Sequence, residues 1–389
     1  MSGPVLARRL ETDRAAPRER SDDRQGSADR EHAHTEDVER ELVGFFDRQR
    51  TRAAGHGEHF ARLWEVAAAC ALGGKLLRPR LMLGAYDALA PAVDRCPRAS
   101  VLRIAAAMEV LHYSFLLHDD VIDEDLVRRH RPNLIGRVRA EAAQLVERRG
   151  DGDGRPRVDP GHFARSAGLL MGDLLLSAVH QTFAREPLPQ DVRVRLLDVL
   201  EDTITETVAG EFIDVALGDG IVTAEVDDVL EMHRRKTAAY TFGMPLTVAA
   251  VLADRADLVP VLAELGDRLG IAFQLQDDLL STFAGTDQHG KDSFSDLREG
   301  KETALIAYAR TTSAWPSIRP LLAAPAFSDA DGLTARGLLT ACGAETYVRA
   351  SVEAQLDACA RLIRHTEALP ASLTVFLTDL VGTLDGRRS

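Results

Sequence analysis

The chain has 389 residues, 45% of them apolar, which is enough for a substantial core in one large helical domain or two ordinary ones. A formal net charge of -13 and only 5% aromatic residues argue against a polyanionic nucleic-acid partner and against base-stacking surfaces. No apolar run approaches 18 residues and the N-terminus is charged, so neither a membrane-spanning helix nor a signal peptide is expected.

Residues 1 to 36 are rich in Arg, Asp, Glu, Ser and Gly and are expected to form a disordered charged tail. From residue 37 onward apolar residues recur at three- and four-residue spacing, beginning with Glu41 to Phe46. The same period predicts helices over Val101 to Leu117, His162 to Phe183, Val192 to Ala216 and Val259 to Phe283. Alternating strand-like runs are missing, so one all-α domain over 37–389 is the simplest division. Residues 148–160 read as a mobile Gly/Pro-rich loop, and 285–300 as a polar loop placed to cover a site. The cysteines Cys70, Cys96, Cys342 and Cys359 have no CxxC spacing and read as reduced residues of a cytoplasmic protein.

Two pairs of adjacent aspartates interrupt these apolar stretches. One lies in Leu116 to Asp123 (Leu-Leu-His-Asp-Asp-Val-Ile-Asp), the other in Phe273 to Leu280 (Phe-Gln-Leu-Gln-Asp-Asp-Leu-Leu). Asp119 and Asp123 are four apart and share one helical face. Carboxylates on an apolar helix are costly unless paired or metal-bound, and oxygen-only donors suit Mg²⁺ or Mn²⁺ rather than Zn²⁺. Such an ion takes one or two carboxylates together with substrate phosphates. Read alone, an Asp-Asp pair is most often a solvated helix end; two of them behind apolar runs are not.

The cations add to this. Of 47 Lys and Arg residues only Lys75, Lys236, Lys291 and Lys301 are lysines, which marks them as places where a compact ammonium is wanted. Gly73-Gly74-Lys75-Leu76-Leu77-Arg78-Pro79 offers a phosphate clasp and lacks the GxxxxGK[ST] spacing of a Walker loop. Arg128 and Arg129 follow the first acidic cluster, and Lys291 and Lys301 bracket the loop after the second.

From Gly73 to Lys301 the order and spacing of these motifs resemble the trans-isoprenyl diphosphate synthases (polyprenyl synthetases), with product specificity like that of geranylgeranyl diphosphate synthases. The matching pieces are Gly-Gly-Lys-x-x-Arg-Pro, Glu109-x-x-His112 with Asp119-Asp120-x-x-Asp123, Arg128-Arg129, Gly172-Asp173 and Gly210-Glu211-x-x-Asp214. Lys236-Thr237, Phe273-Gln274-x-x-Asp277-Asp278, Gly290-Lys291 and Asp296 to Lys301 complete them. His130 stands where the family usually has Gly, and Ser281 where its second motif ends in an acid.

The resemblance implies a single antiparallel helix bundle around a central cavity, a homodimer, and a head-to-tail prenyltransferase using three Mg²⁺ per site, with Mn²⁺ an alternative. It places Asp119, Asp123 and Asp277 on metal. It places Arg128, Lys236, Thr237, Gln274, Lys291 and Lys301 around an allylic diphosphate, and Lys75, Arg78, His112 and Arg129 around isopentenyl diphosphate. Ser114 and Phe115, a turn before Asp119, would set chain length, and one small and one aromatic residue there favour a C20 product over C15. The alternatives are a farnesyl or longer-chain synthase, a class I terpene cyclase, and a non-catalytic partner subunit.

Overall fold

The computed structural model describes residues 17–90, 95–128, 130–149, 159–284, 294–322 and 327–386, with backbone alone for 17–30 and 149. The expected all-α class holds. The helices are α1 (Pro17–Ala53), α2 (Glu58–Ala71), α3 (Leu77–Leu89), α4 (Arg98–Ile122), α5 (Leu134–Arg149), α6 (Pro160–Arg185), α7 (Gln190–Gly218) and α8 (Val226–His233). A ten-residue π-helical segment, Arg234–Gly243, continues α8 and leads into α9 (Met244–Leu252). The helix α10 (Val259–Phe283), the short α11 (Ser295–Glu299) and further helices including Ala344–His365 complete the bundle.

The helix ends follow local chemistry. Asp159 accepts from Gly161 N at 2.8 Å with Pro160 in the first turn, which starts α6 where the Gly/Pro-rich stretch ends. Glu225 and Asp228 form a reciprocal cap on α8. The other loop boundary differs from expectation, because residues 295–299 are helical rather than loop. Residues 150–158 and 285–293 lie outside the described residues.

The expected boundary at residue 37 also moves. Helix α1 reaches back to Pro17, and Glu31 pairs with Arg80 at 2.9 Å while His34, 7% exposed, meets Asp87 at 2.8 Å. His34, Val38, Leu42 and Phe46 form one buried i, i+4 stripe. Its first member is polar, so apolar periodicity starts one turn late.

Helix α4 sits at the centre, packed on α6, α1 and α3; α10 packs on the π segment and on Ala344–His365. Helix α4 is long and apolar enough by composition to cross a membrane, but two thirds of its apolar window is buried inside the bundle. Two two-residue strands, Val127–Arg128 and Arg131–Pro132, pair antiparallel after α4. His130 in their turn has φ 58°, a left-handed conformation that costs a non-glycine residue about 1–2 kcal/mol, which explains why glycine is usual there. The four cysteines form no disulfide.

The π segment owes its place to close backbone approach from both sides. A Cβ on Gly210 of α7 would fall 2.2 Å from Lys236 N, and one on Gly270 of α10 would fall 2.1 Å from Ala238 Cβ. Only glycine permits both contacts. Wide π turns in otherwise α-helical runs occur mostly at functional sites.

Candidate active site

The C-terminal turn of α4 carries Asp119, Asp120 and Asp123. A helix C-terminus is the negative end of its dipole, so three carboxylates there need cations. Three arrive, one from the hairpin that follows and two from distant parts of the chain. Arg128, from the hairpin, donates to Asp119 Oδ2 at 2.9 Å and to Asp120 Oδ1 at 2.6 Å. Burial pushes the Asp120 carboxyl up to about 6, with Arg128 opposing the shift.

Lys236, from the π segment, lies 3.6 Å from Asp119 Oδ1 and 2.9 Å from Glu211 Oε2, and bonds Asp214. Burial opposes its charge, but Asp214, Asp119 and Glu211 outweigh burial and hold the ammonium above the usual lysine range. Lys301, just past α11, lies 3.5 Å from Asp123 Oδ2 and 3.1 Å from Glu299. Lys291 and Arg129, the other expected cations, lie outside the described residues.

The second acidic pair occupies α10, and its two members are unequal. Asp277 is partly exposed, whereas Asp278 is 2% exposed. Burial, reinforced by Asp296, pushes the Asp278 carboxyl well above the carboxylate range. Asp278 Oδ1 accepts from Gln274 Nε2 at 3.1 Å, and Gln274 Oε1 accepts from Thr237 Oγ1 at 3.2 Å. His233 Nε2 stands 3.7 Å from Asp278 Oδ2, and burial lowers that imidazole to about 4. Ser281 is 7% exposed and its hydroxyl meets Asp278 O at 2.9 Å and the carboxylate of Asp296. The position that lacks an acid in sequence therefore has one beside it in space, brought by α11.

Of the expected isopentenyl diphosphate group, Arg78 and His112 converge on Tyr240. The Arg78 guanidinium lies 4.4 Å above the Tyr240 ring and donates to Thr241 Oγ1 at 2.8 Å. Tyr240 Oη and His112 Nδ1 are 3.4 Å apart. Lys75 is exposed in the loop before α3. The two expected chain-length residues diverge. Phe115 packs edge-on against Tyr240 with centroids 5.2 Å apart, while Ser114 is buried and donates to Gly172 O of α6 at 2.8 Å. Farther along, α1, α4 and α6 border an open cleft of about 100 Å³, lined by Glu41 and Phe45 of α1, Val110 and Ala107 of α4 and Val179 of α6, with the Arg103–Glu186 ion pair at its wall.

Sequence reasoning gave no site role to Asp120, Glu211, Asp214, His233, Tyr240 or Asp296. Glu211 and Asp214 carried a usable signal, because carboxylates at i, i+3 share a face. Nothing local marks Tyr240 or His233.

The donor set fits a divalent cation. Asp119, Asp123 and Asp277 offer oxygen only, and among the described residues no three His, Cys, Asp or Glu side chains converge into a closed metal cage. Oxygen donors of this kind suit a hard divalent cation. Charge gives the same answer. Among the described residues Asp119, Asp120, Asp123, Glu211 and Asp214 outnumber Arg128, Lys236 and Lys301 at this mouth, which favours added positive charge there.

A family model of polyprenyl synthetases matches residues 62–324. A geranylgeranyl diphosphate synthase of Sulfolobus acidocaldarius is 32% identical over 237 residues, covering 60% of this chain and 62% of that one. A geranylfarnesyl diphosphate synthase of Natronomonas pharaonis is 31% identical over 250 residues, covering 61% of this chain and 65% of its own. The match thus spans less than two thirds of the length of these relatives. A crystal structure of geranylgeranyl pyrophosphate synthase from Corynebacterium glutamicum, complexed with isoprenyl diphosphate and magnesium, superposes with a TM-score of 0.82 at 28% identity, covering 91% of this chain and 99% of that one.

Proposed function

The chain belongs to the polyprenyl synthetase family, and from that premise we propose that it is a head-to-tail prenyltransferase. It joins isopentenyl diphosphate to an allylic prenyl diphosphate, releases diphosphate, and gives all-trans geranylgeranyl diphosphate (C20) as its product. The observation that carries the reading is the convergence of Asp119, Lys236, Asp123 and Lys301 at one mouth, with the Arg78–Tyr240–His112 group on the same π segment that delivers Lys236.

Arg128, Lys236, Lys291 and Lys301 bind the allylic diphosphate, and Lys75, Arg78, His112 and Arg129 hold that of isopentenyl diphosphate. Mg²⁺ held by Asp119, Asp123 and Asp277 supplies positive charge against the leaving diphosphate. The allylic C–O bond breaks with its electron pair leaving on that diphosphate. The isopentenyl double bond attacks the allylic carbon, and a proton then passes to the released diphosphate. Fixed cations around the departing oxygen favour charge that develops only as the bond breaks, which is where rate enhancement comes from. The oxygen dipoles of Thr237 and Gln274 stabilise the cationic carbon.

The tail runs from Asp119 back along α4. Phe115 lies about 6 Å along the axis from Asp119, at 1.5 Å per residue. The small Ser114 beside it supports a product longer than C15. Four cysteines without a disulfide support a reducing, cytoplasmic setting. Exposed Phe163, Leu170 and Leu174 on α6 and Val208 and Phe212 on α7 support a homodimer, since an apolar patch of this kind marks a contact surface.

The test is incubation of the pure protein with Mg²⁺, isopentenyl diphosphate and, separately, dimethylallyl, geranyl and farnesyl diphosphates, with products resolved by chromatography. A C20 product is expected. No C5 addition with any starter would sink the reading.

A further inference from the structure

We propose that Asp278 is a positioning residue: it fixes which end of the Gln274 amide faces Thr237 and takes no part in holding metal. The inference rests on the prenyltransferase reading above.

A glutamine amide has a donor end and an acceptor end, and a threonine hydroxyl pairs with either. Thr237 therefore cannot decide which way Gln274 points. Asp278 can. One helical turn later on α10, it presents Oδ1 3.1 Å from Gln274 Nε2. Any proton on the carboxyl sits on Oδ2, toward His233, so Oδ1 accepts the amide N–H in either protonation state and the carbonyl end is turned to Thr237 Oγ1, 3.2 Å away. The result is a directed chain across two packed elements, from α10 to the π segment.

Asp278 is poorly placed for any direct role. Its residue exposure is 2%, and Oδ2 is buried without a hydrogen-bond partner, facing His233 Nε2 at 3.7 Å. The His233 side chain is 6% exposed and closes the far side of the carboxyl. Asp277, its neighbour, keeps the exposure that Asp278 lacks. The two aspartates of this pair thus divide the work: one meets the ligand, the other aligns a dipole behind it.

The experiment compares Asp278→Asn, Asp278→Leu, Gln274→Leu and the double variant Asp278→Leu/Gln274→Leu, each checked by circular dichroism. Wild-type turnover in the same assay stands as the control for the prenyltransferase reading itself. Asn offers Gln274 a donor end as well as an acceptor end, so Asp278→Asn should relax the orientation and lower kcat by about tenfold, and a wild-type kcat there counts against the proposal. Asp278→Leu frees the amide to turn over and should lower kcat by about 100-fold, the scale of a misplaced reactive group. KM for both diphosphates and the Mg²⁺ concentration for half-maximal rate should stay at wild-type values in both. In the Gln274→Leu background Asp278→Leu should change kcat by less than about twofold, because its effect is already spent. Should Asp278→Leu fail to fold, Asp278→Asn alone decides. A raised Mg²⁺ requirement or a kcat loss as large as that of Asp277→Asn makes Asp278 a metal ligand and overturns the proposal; so does a multiplicative double variant.

Discussion

Asp123 Oδ2 lies 3.5 Å from Lys301 Nζ, across 178 positions of sequence. The last acid of the first cluster and the last lysine of the chain thus meet at the rim of one mouth. Lys301 and Asp119, one turn before Asp123, predict different losses. Lys301→Ala removes a cation from the allylic diphosphate and should raise its KM about tenfold, equivalent to about 1.4 kcal/mol, with a smaller fall in kcat. Asp119→Ala should lower kcat by about a thousandfold or more while leaving the circular dichroism spectrum unchanged. Steady-state kinetics separates them, and a near-normal rate for Asp119→Ala would refute its metal role.

Gly210→Ala should be among the more damaging methyl additions to the described residues. The added Cβ would meet the backbone of Lys236 at 2.2 Å, not the tip of a movable side chain. The π segment must shift, taking Lys236 with it. A loss of about 1–3 kcal/mol in denaturant unfolding is expected, with a larger loss in kcat than in stability. A variant as active and as stable as wild type would contradict the contact.

Phe115→Ala should lengthen the product. The ring packs edge-on against Tyr240 one turn from Asp119, where a growing tail starts down α4. Chromatography of the dephosphorylated products measures it, and an unchanged distribution removes Phe115 as a floor.

Stability in acid should respond to Glu231. The hydrogen bond from Arg234 holds this carboxyl down to about 2, against an opposing contribution from burial and with further help from Arg235. The folded form thus binds this proton less readily than the unfolded chain, whose carboxyl titrates near 4.5. The stabilisation is complete above about 4.5 and drains away as pH falls from there toward 2. Glu231→Gln should lower Tm at pH 7 and flatten its fall over that acid window. A parallel pair of Tm curves would show that Glu231 contributes nothing.

Phe212, 72% exposed on α7, tests the subunit contact. Phe212→Glu puts a charge into the apolar face and should convert a dimer to a monomer in light scattering after gel filtration. A wild-type monomer, or a variant that stays dimeric, rules this face out.

The helices that carry the acidic pairs were legible because their signals are local. The run expected over Val259 to Phe283 matches α10 residue for residue, and Val101 to Leu117 lies inside α4. The aspartates stood out because a carboxylate on an apolar helix is costly at any distance from its partner. What stayed hidden depends on partners far away in sequence. Arg78 stacks on Tyr240, 162 positions later, and nothing next to either residue says so. The π segment is dictated by glycines on two other helices, and α1 starts early because Glu31 and His34 find polar partners on α3. The division between Asp277 and Asp278 is invisible in a pair of identical letters, because it depends on which side of α10 faces His233.

The π segment has one more consequence. Lys236 points to Asp119, and Tyr240, four residues on, backs Arg78. On the proposed roles a single piece of backbone would therefore work as a ruler between the two reacting molecules. An insertion or deletion of one residue within it would change their spacing without touching a charged side chain, and the enzyme would still bind both partners at a separation where they do not react.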